Sequence, residues 1–226
     1  MLRNLLSILS FVCFTSSLAQ TPDPILATVT YKVRYIQSGN VLIEDHCLLD
    51  ISKSQSYFYS KGVHDNGVKR TEMRNQAAAT NTPFVVNAKD FNRGKLYRAT
   101  TLKTYDKKQA ITIQIVGMRL LGYVKDFAID EPWNILSDTA TISGLKCQKA
   151  QIRKHDFLVT AWFCRDIPIK EGPFFYAGLP GLIIKSQSSE GWEAMFSGIH
   201  YPKNPSLAIK VVDYVLVTEE EIKKGN

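Results

Sequence analysis

Residues 27–35 read ATVTYKVRY, and this stretch decides the fold class. Its apolar side chains alternate with threonine, lysine and arginine, which is the period-two pattern of a half-buried strand. A turn at Ser38-Gly39-Asn40 follows, and residues 41–51 return as a second strand with similar composition. The stretch therefore predicts an antiparallel hairpin at the start of the folded chain.

Short strand signals separated by turn residues continue along the rest of the sequence. They predict further strands at 56–60, 84–88, 95–103, 110–117, 123–129, 133–136, 145–152, 158–165, 174–176, 182–187, 192–199 and 207–217. Many short strands with intervening turns favour an all-β, mainly antiparallel fold. We expect one domain built on a curved sheet, a sandwich or a half-barrel.

Two segments have a different composition and predict short helices. Residues 68–80 read VKRTEMRNQAAAT, which is rich in good helix formers and poor in β-branched residues. Near the C-terminus, Thr218 and Glu221 have the spacing of a capping box, and Gly225 can end the helix they begin.

The first residues have the pattern of a secretory signal peptide. Arg3 precedes an apolar run over residues 5–14, and Ser17-Leu18-Ala19 follows with small side chains at its two ends. This arrangement predicts cleavage before Gln20 and export to the periplasm or the extracellular medium.

The alternatives to soluble export are less favourable. The apolar run is shorter than the roughly 20 residues that a membrane-spanning helix needs. Phe11 and Val12 are too bulky for a lipid-attachment site at Cys13. We therefore expect residues 1–19 to be removed, and residues 20–226 to form one domain without a transmembrane segment.

The charge of the chain limits its partners only weakly. The formal net charge is +7, and removing residues 1–19 lowers it to +6. Such a charge favours contact with anionic surfaces. The lysines and arginines are spread along the sequence and do not alternate with aromatic residues, so we expect no nucleic-acid partner.

No common catalytic or cofactor motif is present. The sequence lacks GxSxG, HExxH, GxGxxG and phosphate-loop patterns. Its four histidines, His46, His64, His155 and His200, are far apart in the chain. We expect no metal and no cofactor, and the sequence alone assigns no catalytic residue.

Three cysteines remain after the expected cleavage: Cys47, Cys147 and Cys164. If His155 and Asp156 form the loop between two predicted strands, Cys147 lies directly opposite Cys164. The Cα atoms of directly opposite residues in antiparallel strands are close enough for a disulfide to join them. We therefore predict a Cys147–Cys164 bridge with Cys47 unpaired. Reduced thiols, or a bond from either residue to Cys47, are the alternatives.

Residues 178–183 read GLPGLI and form the most distinctive motif of the chain: Gly178, Leu179, Pro180, Gly181, Leu182 and Ile183. Pro followed by Gly predicts a type II turn with positive φ at Gly181. The leucines and isoleucine should enter the core. This corner either shapes the fold or offers bare backbone to a ligand.

Adjacent aromatic residues on a strand point to opposite faces. Because Phe174, Phe175 and Tyr176 are consecutive, they cannot all enter one core. Some aromatic surface should face a groove or a partner, and the candidates are Trp162, Phe175 and Trp192.

The motif and its surroundings resemble the GLPGLI family of exported Bacteroidetes proteins. The resemblance covers about residues 133–199. It includes Trp133, Ile142-Ser143-Gly144, Cys147-Gln148-Lys149-Ala150, Ala161-Trp162-Phe163, Asp166-Ile167-Pro168-Ile169 and Gly172-Pro173. It implies a signal peptide and an envelope or secreted location, with no agreed activity.

These observations lead to one expected function and two alternatives. We expect an accessory or binding protein of the envelope, whose partner is a lipid, a peptide or an outer-membrane transporter. The first alternative is a hydrolase with a site assembled from distant strands, and the second is a structural envelope component.

Overall fold

The computed structural model describes residues 23–92, 94–116, 119–124, 132–154, 156–205, 207–211 and 213–224. These residues form one open sheet of twelve strands and two α-helices. The prediction of a mainly antiparallel all-β fold is thereby confirmed. The expected signal peptide lies outside the described residues. None of the described helices has the length and apolar character needed to cross a membrane.

The elements follow in a simple order along the chain. The strands are β1 (Ala27–Gln37), β2 (Asn40–Ile51), β3 (Gln55–Ser60), β4 (Thr100–Thr104), β5 (Gln109–Val116), β6 (Arg119–Val124), β7 (Asn134–Ile142), β8 (Leu145–Lys154), β9 (Phe157–Cys164), β10 (Leu182–Ser188), β11 (Trp192–His200) and β12 (Val215–Leu216). The helices are α1 (Lys61–Ala79) and α2 (Glu219–Lys224), and a 3₁₀ turn covers Ala88–Asp90.

The sheet consists of two meanders placed side by side. Strands β1 to β6 form the first meander and β7 to β11 form the second, and the two join where β1 pairs with β11. All these pairs are antiparallel, and only the short β12 adds in parallel, beside β6. Among the described strands, β7 and β12 are therefore the two edges.

The predicted first hairpin is present. Ser38 and Gly39 have φ values of 48° and 78°, which suits the left-handed turn that matches strand twist. Val29, Tyr31 and Val33 alternate along β1 and are fully buried. The alternation seen in the sequence thus sets which face of the hairpin enters the core.

The two faces of the sheet are covered by different parts of the chain. We call the face that carries Tyr31 and Phe58 the core face, because it belongs to the larger apolar cluster. Tyr57 points the opposite way and belongs to a second cluster with Ile113 and Ile209. We call this second side the outer face, and the C-terminal segment covers part of it.

Helix α1 is longer than the sequence predicted. It begins at Lys61 and not at residue 68. The reason is a local cap: the Ser60 hydroxyl accepts a hydrogen bond from the Val63 amide at 3.0 Å. Asn81, with φ of 50°, ends the helix in a left-handed conformation.

The predicted capping box before the C-terminal helix is confirmed. The Thr218 amide donates to Glu221 Oε2 at 2.8 Å, and the Glu221 amide donates to Thr218 Oγ1 at 3.3 Å. These reciprocal bonds start α2.

Three strand predictions are wrong, and a fourth, over residues 95–103, holds only from Thr100 onward. Residues 125–129 of the strand predicted at 123–129 lie outside the described residues. Residues 84–88 form no strand: residues 84–87 have no regular secondary structure, and Ala88 begins the 3₁₀ turn. Residues 174–176 form a turn, because Phe174 has φ of 56° and leaves extended geometry. Among the described residues of 207–217, only Val215 and Leu216 pair with a strand, while Ala208 forms an isolated bridge.

Candidate ligand-binding groove

The GLPGLI motif ends a segment that crosses the core face. We call residues 165–181 the cap segment. Leu179 within it, and Leu182 and Ile183 just after it, have exposures of 1% or less. The predicted burial of these side chains is confirmed, and Gly178 is the exposed residue of the motif.

The predicted turn type, however, is wrong. The Gly181 amide donates to the Leu179 carbonyl at 2.8 Å, which makes a three-residue turn centred on Pro180. The positive φ belongs to Gly178, at 90°. A Cβ at Gly181 would lie 2.1 Å from the carbonyl oxygen of Cys164. Glycine is therefore needed there because two backbone segments touch.

A buried ion pair fastens the cap segment to the sheet. Lys103 on β4 is fully buried, and its Nζ forms an ion pair with the Glu171 carboxylate. The same Nζ donates to the carbonyls of Gly172 and Tyr176, at 2.9 and 3.1 Å. One ammonium group thus binds three groups of the cap segment, which are one carboxylate and two backbone carbonyls.

The surroundings of this ion pair are largely closed to water. Burial lowers the pKa of Lys103, and the Glu171 carboxylate partly offsets that effect. Burial, with a contribution from Glu171, raises the pKa of Tyr31. Tyr31 also donates its hydroxyl proton to the Ile183 carbonyl at 2.8 Å. Sequence reasoning missed Lys103 and Glu171, since no local pattern links residues so far apart.

The three aromatic candidates are partly buried against the main core, and Trp192 reaches a residue of the groove described below, with its ring centroid 5.4 Å from that of Tyr97. Trp162 packs against the main core. The Phe175 ring centroid is 4.7 Å from that of Tyr176 in the cap segment, and that of Trp192 is 4.6 Å from that of Tyr35. None of the three is among the residues that line the groove.

The predicted strand register around the cysteines is confirmed. Lys154 faces Phe157 and Gln148 faces Phe163, so the same register places Cys147 opposite Cys164. Both thiols are free in the structure, as is Cys47, and the bridge stays a prediction. Cys147 also lines an open cavity of about 670 Å³. Burial raises the pKa of its thiol to about 11.

A groove of about 580 Å³ lies between α1 and the outer face of the sheet. Its floor consists mostly of apolar side chains from β3, β5 and β6: Tyr57, Tyr59, Ile113, Ile115 and Leu120. One side of α1 forms a wall with residues at helical spacing: Val63, His64, Gly67, Val68, Thr71 and Glu72. The volume and the apolar lining are typical of a small-molecule site.

Polar contacts hold helix α1 along the side that faces away from the groove. The side chain of Asn66 exchanges two hydrogen bonds of 2.9 Å with the backbone of Asn92, and Lys69 Nζ donates to the Asp90 carbonyl at 2.7 Å. None of the 19 described residues of α1 is buried. These contacts fasten the helix beside the sheet while its groove side stays accessible.

Polar groups fix one part of the groove floor. Tyr59 donates its hydroxyl proton to Asp50 Oδ2 at 2.9 Å, and Thr28 donates to Asp50 Oδ1 at 2.6 Å. Burial and the Asp50 carboxylate raise the pKa of Tyr59. The His64 ring centroid lies 5.2 Å from that of Tyr59. These contacts fix the position of the Tyr59 ring where the floor meets α1.

The groove does not contain a recognisable catalytic arrangement. Among the described residues, no hydrogen bond joins His64 to a carboxylate or to a hydroxyl group. The Ser60 hydroxyl, which also lines the groove, is engaged in capping α1. In the described part of the chain, no three His, Cys, Asp or Glu residues are grouped as metal ligands would be.

Comparisons with known proteins give one partial match to a family model and a likeness in fold to solved structures. A family model described as a protein of unknown function (Porph_ging) matches residues 146–185. This match covers β8 from Lys146 onward, β9, the cap segment and the GLPGLI motif. No curated protein matches the chain.

Two solved structures of PNGF-II are similar in fold. The chain aligns with the P21 crystal form at a TM-score of 0.52 and with the C2 form at 0.51, at 11% identity in both cases. The alignments cover 88% of this chain and 32% of PNGF-II, so the chain spans about a third of the length of those structures. At this identity the likeness concerns the fold alone.

The groove and the matched region are separate parts of the molecule. The groove is lined by residues between Tyr57 and Leu120 and by Lys210, whereas the family match ends at residue 185 and begins at 146. Sequence reasoning missed the groove because its walls come from distant segments. The available signal was the aromatic run Tyr57-Phe58-Tyr59, which places aromatic side chains on both faces of β3.

Proposed function

We propose that the protein binds an elongated apolar ligand in the groove beneath α1, as an exported accessory protein of the bacterial envelope. The proposal of export rests on the pattern of residues 1–19, and the proposal of binding rests on the groove. A lipid is the occupant that suits the lining best.

The observation that carries this proposal is the unburied helix. Helices in proteins gain most of their stability from packing an apolar side against something. Val63 and Val68 on α1 point to the groove, yet no residue of the helix is buried. A ligand between Val68 and Ile115, which are 44% and 53% exposed, would supply the missing contact.

Binding is favoured over hydrolysis by the chemistry of the lining. A hydrolytic site requires a nucleophile and a base within hydrogen-bond reach of each other. His64 has no such partner among the described residues, and the floor offers mainly carbon atoms. We therefore do not propose the hydrolase alternative.

The test uses Gly67, whose position in the groove wall allows a matched pair of variants. A side chain at Gly67 would point into open space, since no atom lies within 4 Å of a Cβ built there. Gly67→Phe should fill the groove and abolish binding of a neutral apolar fluorophore such as N-phenyl-1-naphthylamine. Gly67→Ala leaves the groove open and favours the helix, so it should bind as the parent does.

The same preparations identify the natural occupant. Protein purified from the envelope fraction is extracted with organic solvent, and the extract is analysed by mass spectrometry. An apolar molecule present with the parent protein and absent with Gly67→Phe supports the proposal. Equal fluorophore binding by the two Gly67 variants, or a retained peptide in place of an apolar molecule, would contradict it.

Export is tested separately by mass spectrometry of the N-terminus. We expect the mature chain to begin at Gln20 and to be found in a soluble envelope or medium fraction. An acylated Cys13, or an intact N-terminus on protein in the cytoplasm, would overturn this part of the proposal.

A further inference from the structure

The floor of the groove is an apolar strip that runs along the strand direction. Ile113 and Ile115 lie two residues apart on β5 and therefore share a face. Leu120 pairs with Ile115 across the β5–β6 ladder. Ile113 is buried and Ile115 is half exposed, so the strip leads from the interior to the open end. This shape suits an extended alkyl chain.

Two cations border the same groove from different segments of the chain. Arg98 precedes β4, and Lys210 lies in the C-terminal segment that covers the outer face. Both side chains are exposed, and neither forms an ion pair with another described residue. They are therefore available to a charged group on a ligand.

The lining as a whole has an excess of positive charge. Glu72 on α1 is the acidic residue among the lining residues, against the two cations. The formal net charge of the chain, +7, has the same sign. The electrostatic field of the lining residues and that of the whole chain therefore both favour a negatively charged group at the end of an apolar ligand.

We infer that the ligand of the groove is an anionic amphiphile, with an alkyl chain on the Ile113–Ile115 strip and a carboxylate or phosphate head group beside Arg98 and Lys210. The inference rests on the proposed binding in the groove and adds the chemical class of the ligand. Carboxylate and phosphate share the chemistry that the two cations recognise.

The test compares three ligands that differ only in the head group. Hexadecanoate, hexadecyl phosphate and hexadecanol are added, below their aggregation limits, to delipidated protein carrying N-phenyl-1-naphthylamine. Both acids should displace the fluorophore at lower concentration than the alcohol. The stronger of the two acids identifies whether the natural head group is a carboxylate or a phosphate. The preference over the alcohol should shrink as salt is raised, because salt screens exposed charges.

Three variants assign the preference to particular residues. Arg98→Gln and Lys210→Gln should each weaken binding of the acids by about fivefold, the scale of one exposed ion pair, and leave the alcohol unchanged. Glu72→Gln should strengthen binding of the acids. The matched control is Lys203→Gln, because Lys203 is exposed and lies outside the groove. This variant should bind both the acids and the alcohol as the parent protein does.

The outcomes separate this inference from the proposed function. If the alcohol binds as tightly as both acids, the groove binds apolar ligands but the inferred head group is wrong. If the preference for acids survives in the Arg98→Gln, Lys210→Gln double variant, the inferred cations are wrong. If none of the three ligands displaces the fluorophore, the proposed function itself is overturned.

Discussion

Lys103 on β4 and Glu171 in the cap segment form an ion pair in the interior of the protein, with side-chain exposures of 0% and 5%. The two residues are 68 positions apart in the sequence. The pair ties the first meander to the segment that carries the GLPGLI motif. Its Lys103 ammonium also satisfies two backbone carbonyls that would otherwise lack this donor.

Removing one partner of this ion pair should destabilise the protein strongly. Lys103→Met leaves the Glu171 carboxylate buried without its counter-charge, and we expect a loss of about 3–5 kcal/mol in the free energy of unfolding. Urea unfolding followed by tryptophan fluorescence measures this loss. The matched control is Lys32→Met, which breaks the exposed Lys32–Glu44 pair and should leave the free energy of unfolding nearly unchanged.

A double variant distinguishes the burial of a lone charge from simple loss of packing. Lys103→Met combined with Glu171→Leu removes both charges and keeps apolar volume. It should be more stable than Lys103→Met alone, because no unpaired carboxylate remains. If the double variant is the less stable of the two, the ion pair is not the reason for the loss.

Gly181→Ala should destabilise the protein through a backbone clash. The added Cβ would lie 2.1 Å from the Cys164 carbonyl oxygen, so β9 or the cap segment must move. We expect a loss of about 1–3 kcal/mol, as for other overpacked sites. Gly198→Ala is the control, since a Cβ there has no atom within 4 Å. Equal midpoints in urea for the two variants would show that the contact with Cys164 is unimportant.

The cysteines allow a prediction that depends on oxidation. Protein recovered from the envelope should contain the Cys147–Cys164 bridge, because the two strands place these residues opposite each other. Non-reducing peptide mapping detects it. A bridge that contains Cys47, or three free thiols in that preparation, would refute the pairing.

In the reduced protein, the reactivity of Cys147 should depend steeply on pH. The thiolate is the reactive form, and the pKa of this thiol is raised to about 11. A raised pKa means less thiolate at neutral pH. The alkylation rate of the folded protein should therefore rise by about tenfold per pH unit through the neutral range and level off only near the pKa. A rate that levels off near pH 8.5 would show an ordinary thiol.

Helix α1 should be among the least protected parts of the structure. Because no residue of α1 is buried, its amides should exchange with deuterium faster than those of β1, where Val29 and Tyr31 are fully buried. A ligand in the groove should slow exchange in α1 and leave β1 unchanged. Exchange in α1 as slow as in β1 without ligand would mean that the helix is already packed.

Local pattern was sufficient to predict most strands and the first hairpin. The alternation in 27–35 and the Ser38-Gly39 turn gave both the strand and its partner, because neither depends on distant residues. The pairing of β8 with β9 was predictable for the same reason. Where the predicted secondary structure was wrong, tertiary contacts determined the backbone conformation. Phe174 looks like a strand residue, yet its backbone is left-handed and its ring centroid lies 5.2 Å from that of Phe58.

The groove could not be predicted from local sequence patterns. Residues 61–67 contain two glycines and read as a loop, but the Ser60 cap begins the helix before them. Lys103 looks like a solvent-facing strand residue until Glu171 is placed beside it. The groove requires α1, β5 and Lys210 to be brought together, and no spacing in the sequence specifies that arrangement.

The junction of the two meanders has a consequence for how the chain matures during synthesis. Among the described strands, β1 is synthesised first and β11 is one of the last, yet they are neighbours at the middle of the sheet. Each meander can form from local hairpins as it emerges, but the central ladder must wait until residue 200 has been made. Until then β1 presents an unpaired edge, which is a template for aggregation. A holdase that shields β1 in this interval should therefore reduce aggregation and raise the yield of native protein.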